Sequence, residues 1–381
     1  MKIAFLTPEY PHEKINHTAG IGTSIKNLAV ALVKKGFSVT VIIYGQKEST
    51  VFEENGVTIH LIEDRKYCFA KWFFYRKYIQ KFCNKIIREQ NIDIIEAPDW
   101  TGITAFMKFH IPLVIRFHGS DTYFCYLEKR KQKFKNFWFE KLAIQGANAF
   151  ITPTSFAGEL SKRLFGIKNK KIQTIHYGLE LEKFENSNPE VFEKGLLLYI
   201  GTIIRKKGVL ELTEIFNLVR QQHPEARLVL IGGDSSDIAT QSESTWQLLQ
   251  QQFQEEDLKK VTYLGKIPYQ GVQEYIKKAH VCVFPTFAET LGMVTIESMA
   301  MQKPVVNSNI GWAKELIIDG KSGFLVHPKN HVEYAAKINS ILADKDLAKQ
   351  LGKNARKRVE SIFDIKNIAD ENITFYKSLI D

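Results

Sequence analysis

Short, wholly apolar runs alternate with longer amphipathic stretches along most of this chain. Lys2–Thr7, Ser38–Tyr44, Val57–Ile62, Ile92–Ile95, Leu113–Phe117, Ala149–Thr152 and Lys171–His176 read as strands. Between the first two, Thr23–Lys35 sets Ile25, Leu28, Ala29, Leu32 and Val33 at the spacing of one helix face. The polar stretch 181–194 contains Pro189 and has no clear period, so it reads as a linker. The alternation then resumes with Leu196–Ile200, Leu228–Ile231, Val261–Leu264, Val281–Phe284 and Val305–Val306. Strands apolar throughout, separated by helices, predict parallel sheets covered on both faces. The expectation is an α/β protein of two Rossmann-like domains, 1–180 and 195–363. Ligands of open α/β sheets bind beyond the carboxyl ends of the strands, so the domain edges are expected to face one cleft. Asp364–Ile380 carries Ile365, Ile368, Ile373, Phe375, Tyr376, Leu379 and Ile380 at helical spacing and predicts a C-terminal helix.

Length and composition agree with that division. At 381 residues and 44% hydrophobic content the chain is long for one core and comfortable for two. The formal charge of +10 is uneven: residues 1–180 carry 27 Lys and Arg against 16 Asp and Glu, and the rest carry 25 against 26. Within Arg65–Arg88 lie eight basic residues, eight aromatics and no acid, and Lys129–Phe139 is a second such run. Solvated helix faces over buried aromatics are one account of them; an anionic membrane surface as partner is another. Nucleic acid is not expected as a partner, because no recognised binding motif accompanies the charge.

Several features bear on compartment and cofactors. The chain opens directly into a strand, with no signal-peptide pattern, and no apolar run approaches the roughly 20 residues of a membrane span. Cys68, Cys83, Cys125 and Cys282 show no paired spacing, which suits reduced thiols and a cytoplasmic location, with attachment to the inner face of a membrane as a variant. Asn16-His-Thr18 and Asn372-Ile-Thr374 match glycosylation sequons but carry no weight without a secretory signal. Asp344-Lys-Asp346 is a formal Asp-x-Asp in a late polar stretch, and a solvated surface explains it better than a metal. No His/Cys cluster has ligand spacing, so neither metal nor other cofactor is expected.

The richest chemistry follows the strand Val281–Phe284. There Glu289 and Glu297 lie eight positions apart, astride the expected start of a helix. A loop feeding a helix N-terminus attracts anions, whereas carboxylates repel phosphate and accept strongly from hydroxyls. Together they suit a diphosphate flanked by vicinal hydroxyls, the layout of a nucleotide-sugar. Two acids at arbitrary spacing would more often be ordinary helix-surface charges. The wider run Pro285-Thr-Phe-Ala-Glu289-Thr290-Leu291-Gly292-Met-Val-Thr-Ile-Glu297-Ser-Met-Ala-Met-Gln-Lys-Pro304-Val-Val changes that preference, because it resembles the donor segment of the retaining glycosyltransferase family GT4.

Four more stretches extend the resemblance. Ala19-Gly20-Ile21-Gly22 stands where the family has a Gly-rich loop, with Ala19 a departure. Glycines there let backbone approach a ligand, and a dinucleotide fingerprint fits poorly because Ile25 holds its third glycine position. Arg116-Phe-His118-Gly-Ser-Asp121 resembles the family's His-Gly-x-Asp, in which the histidine lies by the sugar; Asp121 is read as orienting it or capping a helix. Gly201-Thr202-Ile-Ile-Arg205-Lys206-Lys207-Gly208 matches a diphosphate clamp at Lys207, but Thr202 stands at the usual arginine position, leaving Arg205 to supply that charge. Asn309–Val326 and Tyr177–Phe184 resemble donor-pocket and interdomain segments of the same family.

The resemblance implies the GT-B fold, with the last helix crossing back to the first domain, the acceptor on the first domain and the donor on the second. It implies a retaining, metal-independent glycosyltransferase using a nucleoside-diphosphate sugar and a glycan or lipid-linked acceptor, as in polysaccharide or glycolipid synthesis. Lys207 and Arg205 are then expected on the diphosphate together with backbone at Thr290, Leu291 and Gly292. Gly20 and Gly22 are expected near the donor, Glu297 on the ribose, and Glu289 and His118 at the sugar. A nucleotide-sugar epimerase or hydrolase on the same fold, or a non-catalytic binding protein, are the rival readings.

Overall fold

The computed structural model describes residues 1–15 and 19–380, so the sequon Asn16-His-Thr18 lies outside the described residues. The chain divides into two compact units, 1–180 with 364–381, and 181–363. Residues 181–194 pack with the second unit: Phe184 is buried, and the Asn186 amide donates to the Met301 carbonyl at 3.0 Å.

The first unit is built on eight strands: β1 (Lys2–Thr7), β2 (Ser38–Gln46), β3 (Val51–Glu54), β4 (Val57–Glu63), β5 (Ile94–Pro98), β6 (Leu113–Arg116), β7 (Ala149–Thr152) and β8 (Ile172–Thr174). Their order is β3-β4-β2-β1-β5-β6-β7-β8. All neighbours pair in parallel except β3, which runs antiparallel to β4 at the edge. That edge strand departs from the all-parallel expectation, and its residues are too polar and too exposed to read as a buried run. The Asn55-Gly56 turn before β4 has both residues at positive φ (53° and 76°), the local chemistry of a tight hairpin.

Alternation along each strand divides this unit's core into two layers. Ile3 and Phe5 of β1 face one cluster with Ile25, Leu28 and Leu32 of the first helix, Gly20–Lys34. Ala4 and Leu6 face the other, with Ile79, Cys83 and Ile86 of the helix Lys71–Gln90. The C-terminal helix Ile365–Ile380 belongs to the first unit and buries Ile368, Ile373 and Tyr376 in the layer of the first helix. Each such side chain, fully buried, contributes about 1.5–3 kcal/mol. The helix is also pinned by polar contacts. Arg116 at the end of β6 forks onto Glu96 of β5 at 2.7 and 3.0 Å and donates to Asn372 at 2.6 Å, while the Tyr376 hydroxyl donates to Glu96 at 2.6 Å. Asn372 is wholly buried, so its sequon is structural in use.

The second unit has six parallel strands: β9 (Leu196–Ile200), β10 (Arg227–Ile231), β11 (Val261–Tyr263), β12 (Val281–Phe284), β13 (Val305–Ser308) and β14 (Phe324–Val326), in the order β11-β10-β9-β12-β13-β14. Central β9 and β12 are buried along their whole length, as expected for a sheet covered on both faces.

Candidate active site

Two loops at the carboxyl ends of β9 and β12 meet in the second unit. After β9 the chain makes a tight turn over Arg205–Lys207, closed by Gly208 at φ 68°. A Cβ at Gly208 would run into the Pro285 carbonyl, so only glycine lets this turn press against the loop after β12. The Phe287 amide donates to the Lys206 carbonyl at 2.9 Å and ties the two loops together. As a result Lys207 and Glu289, far apart in sequence, form a direct ion pair, each side chain about one-fifth exposed. Burial works to raise the Glu289 carboxyl, but the Lys207 ammonium and the Thr290 N–H, 3.0 Å away, outweigh it and hold the group below its usual range. Thr290 and Leu291 are buried, whereas Gly292 after them is partly exposed. Gly292 then opens the helix Met293–Ala300 at φ 97°.

Glu297 sits on that helix at 7% exposure. Burial pushes its carboxyl up to about 7, offset in part by a hydrogen bond from the Tyr269 hydroxyl. A desolvated carboxyl of this kind is a strong acceptor for vicinal hydroxyls once ionised. Arg205 is differently employed. Its guanidinium forks onto Asp237 at 2.8 and 2.8 Å, and Asp237 also accepts from Thr240. The fork holds Asp237 well below the carboxylate range. Thr202, at the position where a clamp arginine was expected, is exposed, and its carbonyl accepts from the Tyr199 hydroxyl at 3.0 Å.

In the first unit, His118 follows β6. Its backbone N–H donates to Asp99 at 2.8 Å, and its Nδ1 lies 2.7 Å from the Tyr177 hydroxyl, the two rings stacked 5.4 Å apart. Burial first, and then the Arg116 charge, lower the imidazole to about 3. It is therefore neutral at physiological pH, with one nitrogen a donor and the other an acceptor. Asp121 does neither of the things the sequence suggested. Ser120 caps the helix Asp121–Leu127 by accepting from the Tyr123 N–H at 3.1 Å, and Asp121 instead takes Arg130 and Asn136. Sequence reasoning passed over Asp99 and gave Tyr177 no role at the histidine. Asp99 is 1% exposed, and burial pushes it up to about 7.

Gly20 and Gly22 lie inside the first turn of the first helix rather than in a loop before it. Space around Gly20 is open, whereas a Cβ at Gly22 would come within 2.8–2.9 Å of the Tyr10 and Glu9 backbone. The Gly22 N–H donates to the Glu9 carboxylate at 2.8 Å. Close approach is thus the use of Gly22, but the backbone that approaches is the protein's own.

The two basic-aromatic segments are neighbours in space. Trp72 lies 6.2 Å from Trp138 and 5.3 Å from Phe139, with Lys135 over the Trp72 ring at 6.0 Å. Phe69, Phe134, Trp72, Trp138 and Phe74 are exposed. Not all the basic residues face solvent. Arg76 is buried, donating to the carbonyls of Trp72, Thr101 and Gly102. Lys77 bonds to the Phe106 carbonyl. No helix among the described residues is long and apolar enough to cross a membrane, and no group of three potential metal ligands occurs among them. Asp344 serves as a helix cap, accepting from the N–H groups of Asp346 and Leu347.

Comparison with known proteins follows these same two halves. Residues 18–183 match the model of glycosyltransferase family 4, and residues 181–358 match that of glycosyl transferases group 1. An uncharacterised glycosyltransferase of Methanocaldococcus jannaschii is 26% identical over 99% of this chain and 98% of its own. Sucrose-phosphate synthase from Thermosynechococcus elongatus superposes with a TM-score of 0.80 at 23% identity, covering 99% of this chain and 98% of that one. The Anabaena protein HepE, solved with UDP and glucose, superposes at 0.75 with 18% identity over the full length of both. With both family models in register along the chain and its two α/β units matching these structures, the protein belongs to the GT4-type glycosyltransferases of GT-B fold.

Proposed function

We propose that the protein transfers a sugar, with retention and without a metal, from a nucleoside-diphosphate sugar to a glycan or lipid-linked acceptor. The observation that carries this reading is the Lys207–Glu289 pair joining the loops after β9 and β12, with buried Glu297 on the helix that the second loop enters. HepE, with UDP and glucose bound, supports the donor class. In this reading Lys207 and backbone around Leu291 and Gly292 meet the diphosphate, and negative charge growing on it in the transition state is stabilised without an ion. Glu297 holds the ribose hydroxyls, Glu289 a sugar hydroxyl, and neutral His118 serves as a hydrogen-bonding group for the sugar. The bond from the anomeric carbon to the phosphate oxygen breaks as the acceptor oxygen attacks from the same face. The acceptor proton passes to the departing phosphate. The test is a panel of nucleoside-diphosphate sugars with and without acceptor, with the anomeric configuration of the product read by NMR and a parallel reaction in EDTA. Inverted product, a requirement for divalent metal, or turnover indifferent to acceptor would each sink the corresponding part.

For the acceptor, the exposed Phe69, Trp72, Phe134 and Trp138 among Lys131, Lys133 and Lys135 suit an anionic bilayer surface. Each engaged Lys contributes about 1 kcal/mol, and salt screens it. Liposome co-sedimentation should rise with anionic lipid and fall on charge reversal at Lys81, Lys131, Lys133 and Lys135. Arg76 and Lys77 are unsuitable for that test because their charges serve the fold. Wild-type protein that ignores anionic liposomes at low salt would point to a soluble acceptor.

A further inference from the structure

At the end of the second sheet opposite the loop after β12, a cavity gathers cations around a buried lysine that lacks a counter-ion. β12 and β13 are parallel, so His280, just before β12, and Lys303, just before β13, lie at their amino ends. The donor loop leaves from the carboxyl end of β12, a four-residue strand of roughly 13 Å. Lys303 is 1% exposed. Its ammonium has a single long hydrogen bond, 3.3 Å to the Pro189 carbonyl, and lies 5.7 Å from the Phe192 ring centre. No carboxylate pairs with it among the described residues, and burial lowers it to about 8. Buried charges are ordinarily paired, so an unpaired one calls for a reason.

His280 adds a second unmet group. At 3% exposure it accepts from the Gly195 N–H at Nδ1, 3.3 Å, which leaves the proton on Nε2. Nε2 is buried and has no partner. The ring stacks on Phe192 at 4.2 Å, giving the cavity an aromatic wall. Three more lysines complete the lining. Lys345, Lys349 and Lys353 stand four residues apart, on one face of the helix Lys345–Ile362. That helix reaches the cavity because Gly352 packs without a side chain on the Gln302 carbonyl. The one acid in the lining, Glu190, pairs with Lys349 at 2.5 Å, leaving a surplus of three cations. The space open to water centres is about 80 Å³, where a single water needs roughly 10–15 Å³.

We propose that this cavity is a second ligand site, separate from the donor loop, that binds the phosphate group of a small phosphorylated metabolite. Lys303 and the His280 Nε2–H take the phosphate at the base, Lys349 and Lys353 close over it, and a short carbon skeleton lies against Phe192 and Pro189. β12 carries His280 at one end and feeds the Glu289 loop at the other, so occupancy of the cavity has a direct covalent route to the donor loop.

The test is calorimetric titration with inorganic phosphate and with glycerol 3-phosphate at constant ionic strength, needing no turnover and no donor. Wild type and Lys207→Ala, which removes the donor-loop cation, should both bind one phosphate, and glycerol 3-phosphate should bind more tightly. The double variant Lys349→Gln/Lys353→Gln, confined to exposed positions, should weaken both ligands by about tenfold or more, as expected for lost charged hydrogen bonds. Lys303→Met, checked for folding by circular dichroism, should abolish binding. No saturable heat in the wild type overturns the proposal. So does binding lost in Lys207→Ala but kept in the double variant, because the phosphate would then sit at the donor loop. Neither result touches the glycosyl-transfer reading, which stands on its own assay.

Discussion

The two units present their candidate groups at the same place, the carboxyl ends of parallel strands, but hold them by opposite means. In the first unit His118 is neutral, fixed by a backbone bond to Asp99 and by the Tyr177 hydroxyl and ring. Behind it Arg116 is buried and fully occupied by Glu96, Asn372 and Tyr376. In the second unit the basic groups are paired with carboxylates, Lys207 with Glu289 and Arg205 with Asp237, while buried Glu297 takes the Tyr269 hydroxyl. A neutral, hydrogen-bonded group is in position before any ligand arrives. Charges that neutralise each other would have to exchange partners for a diphosphate to bind as proposed, whereas the first unit's groups would not.

The largest expected effect tests the permanence of the first unit's scaffold. Arg116→Met strands Glu96 in the core and should lower unfolding free energy by about 3–5 kcal/mol in denaturant titration. A loss below about 1 kcal/mol would mean that the fork is dispensable. Next comes the ligand-dependent side. Lys207→Ala should lower turnover by about 10²–10³-fold, more than it weakens donor binding, as for removal of one oxyanion donor. A loss confined to KM would assign Lys207 to ground-state binding only.

The third prediction uses Glu297, whose carboxyl is held up at about 7 by burial. A group with a raised folded pKa stabilises the protein fully below its unfolded value, near 4.5, and that stability is lost as pH rises through 7. Wild type should therefore lose about 2–3 kcal/mol between those limits through this group, and Glu297→Gln should not. Parallel stability curves for the two proteins would refute the assignment. Glu297→Ala should also weaken donor binding by about 1.5–3 kcal/mol if it holds the ribose. The smallest effect on turnover belongs to Arg205, which is already engaged by Asp237. Arg205→Ala should leave most of the turnover, at a stability cost of about 1–3 kcal/mol because buried Asp237 keeps only its bonds from Thr240. A fall as deep as that of Lys207→Ala would show that Asp237 releases the guanidinium to the diphosphate.

Much of this was legible in the residues, and what was missed has specific causes. β1, β7, β9 and β12 stand where their apolar runs lie, because a strand buried on both faces has no polar period to blur it. β3 was missed because an edge strand is half solvated, although Asn55-Gly56 is a hairpin signal that could have found it. The Glu289–Glu297 run was readable as one local feature because loop, helix start and both glutamates are contiguous. Asp121 was read as orienting His118 or capping a helix because it lies close in sequence, while the groups that hold His118 come from residues 99 and 177 and the cap from Ser120. Arg205 was expected on the ligand because Asp237, 32 residues on, gives no local sign of the fork.

By itself the sequence determined the α/β alternation, the division near residue 180, the family and the residues that crowd the loop after β12, since each depends on local period or contiguous motif. Only the tertiary structure decided which charges are spent. It pairs Lys207 with Glu289, gives Gly22 to the Glu9–Tyr10 backbone, takes Arg76 out of the basic surface, and leaves Lys303 buried without a counter-ion. The physical reason is that pairing and desolvation depend on distance through space, and a chain folded into parallel sheets brings together residues that its linear order keeps far apart.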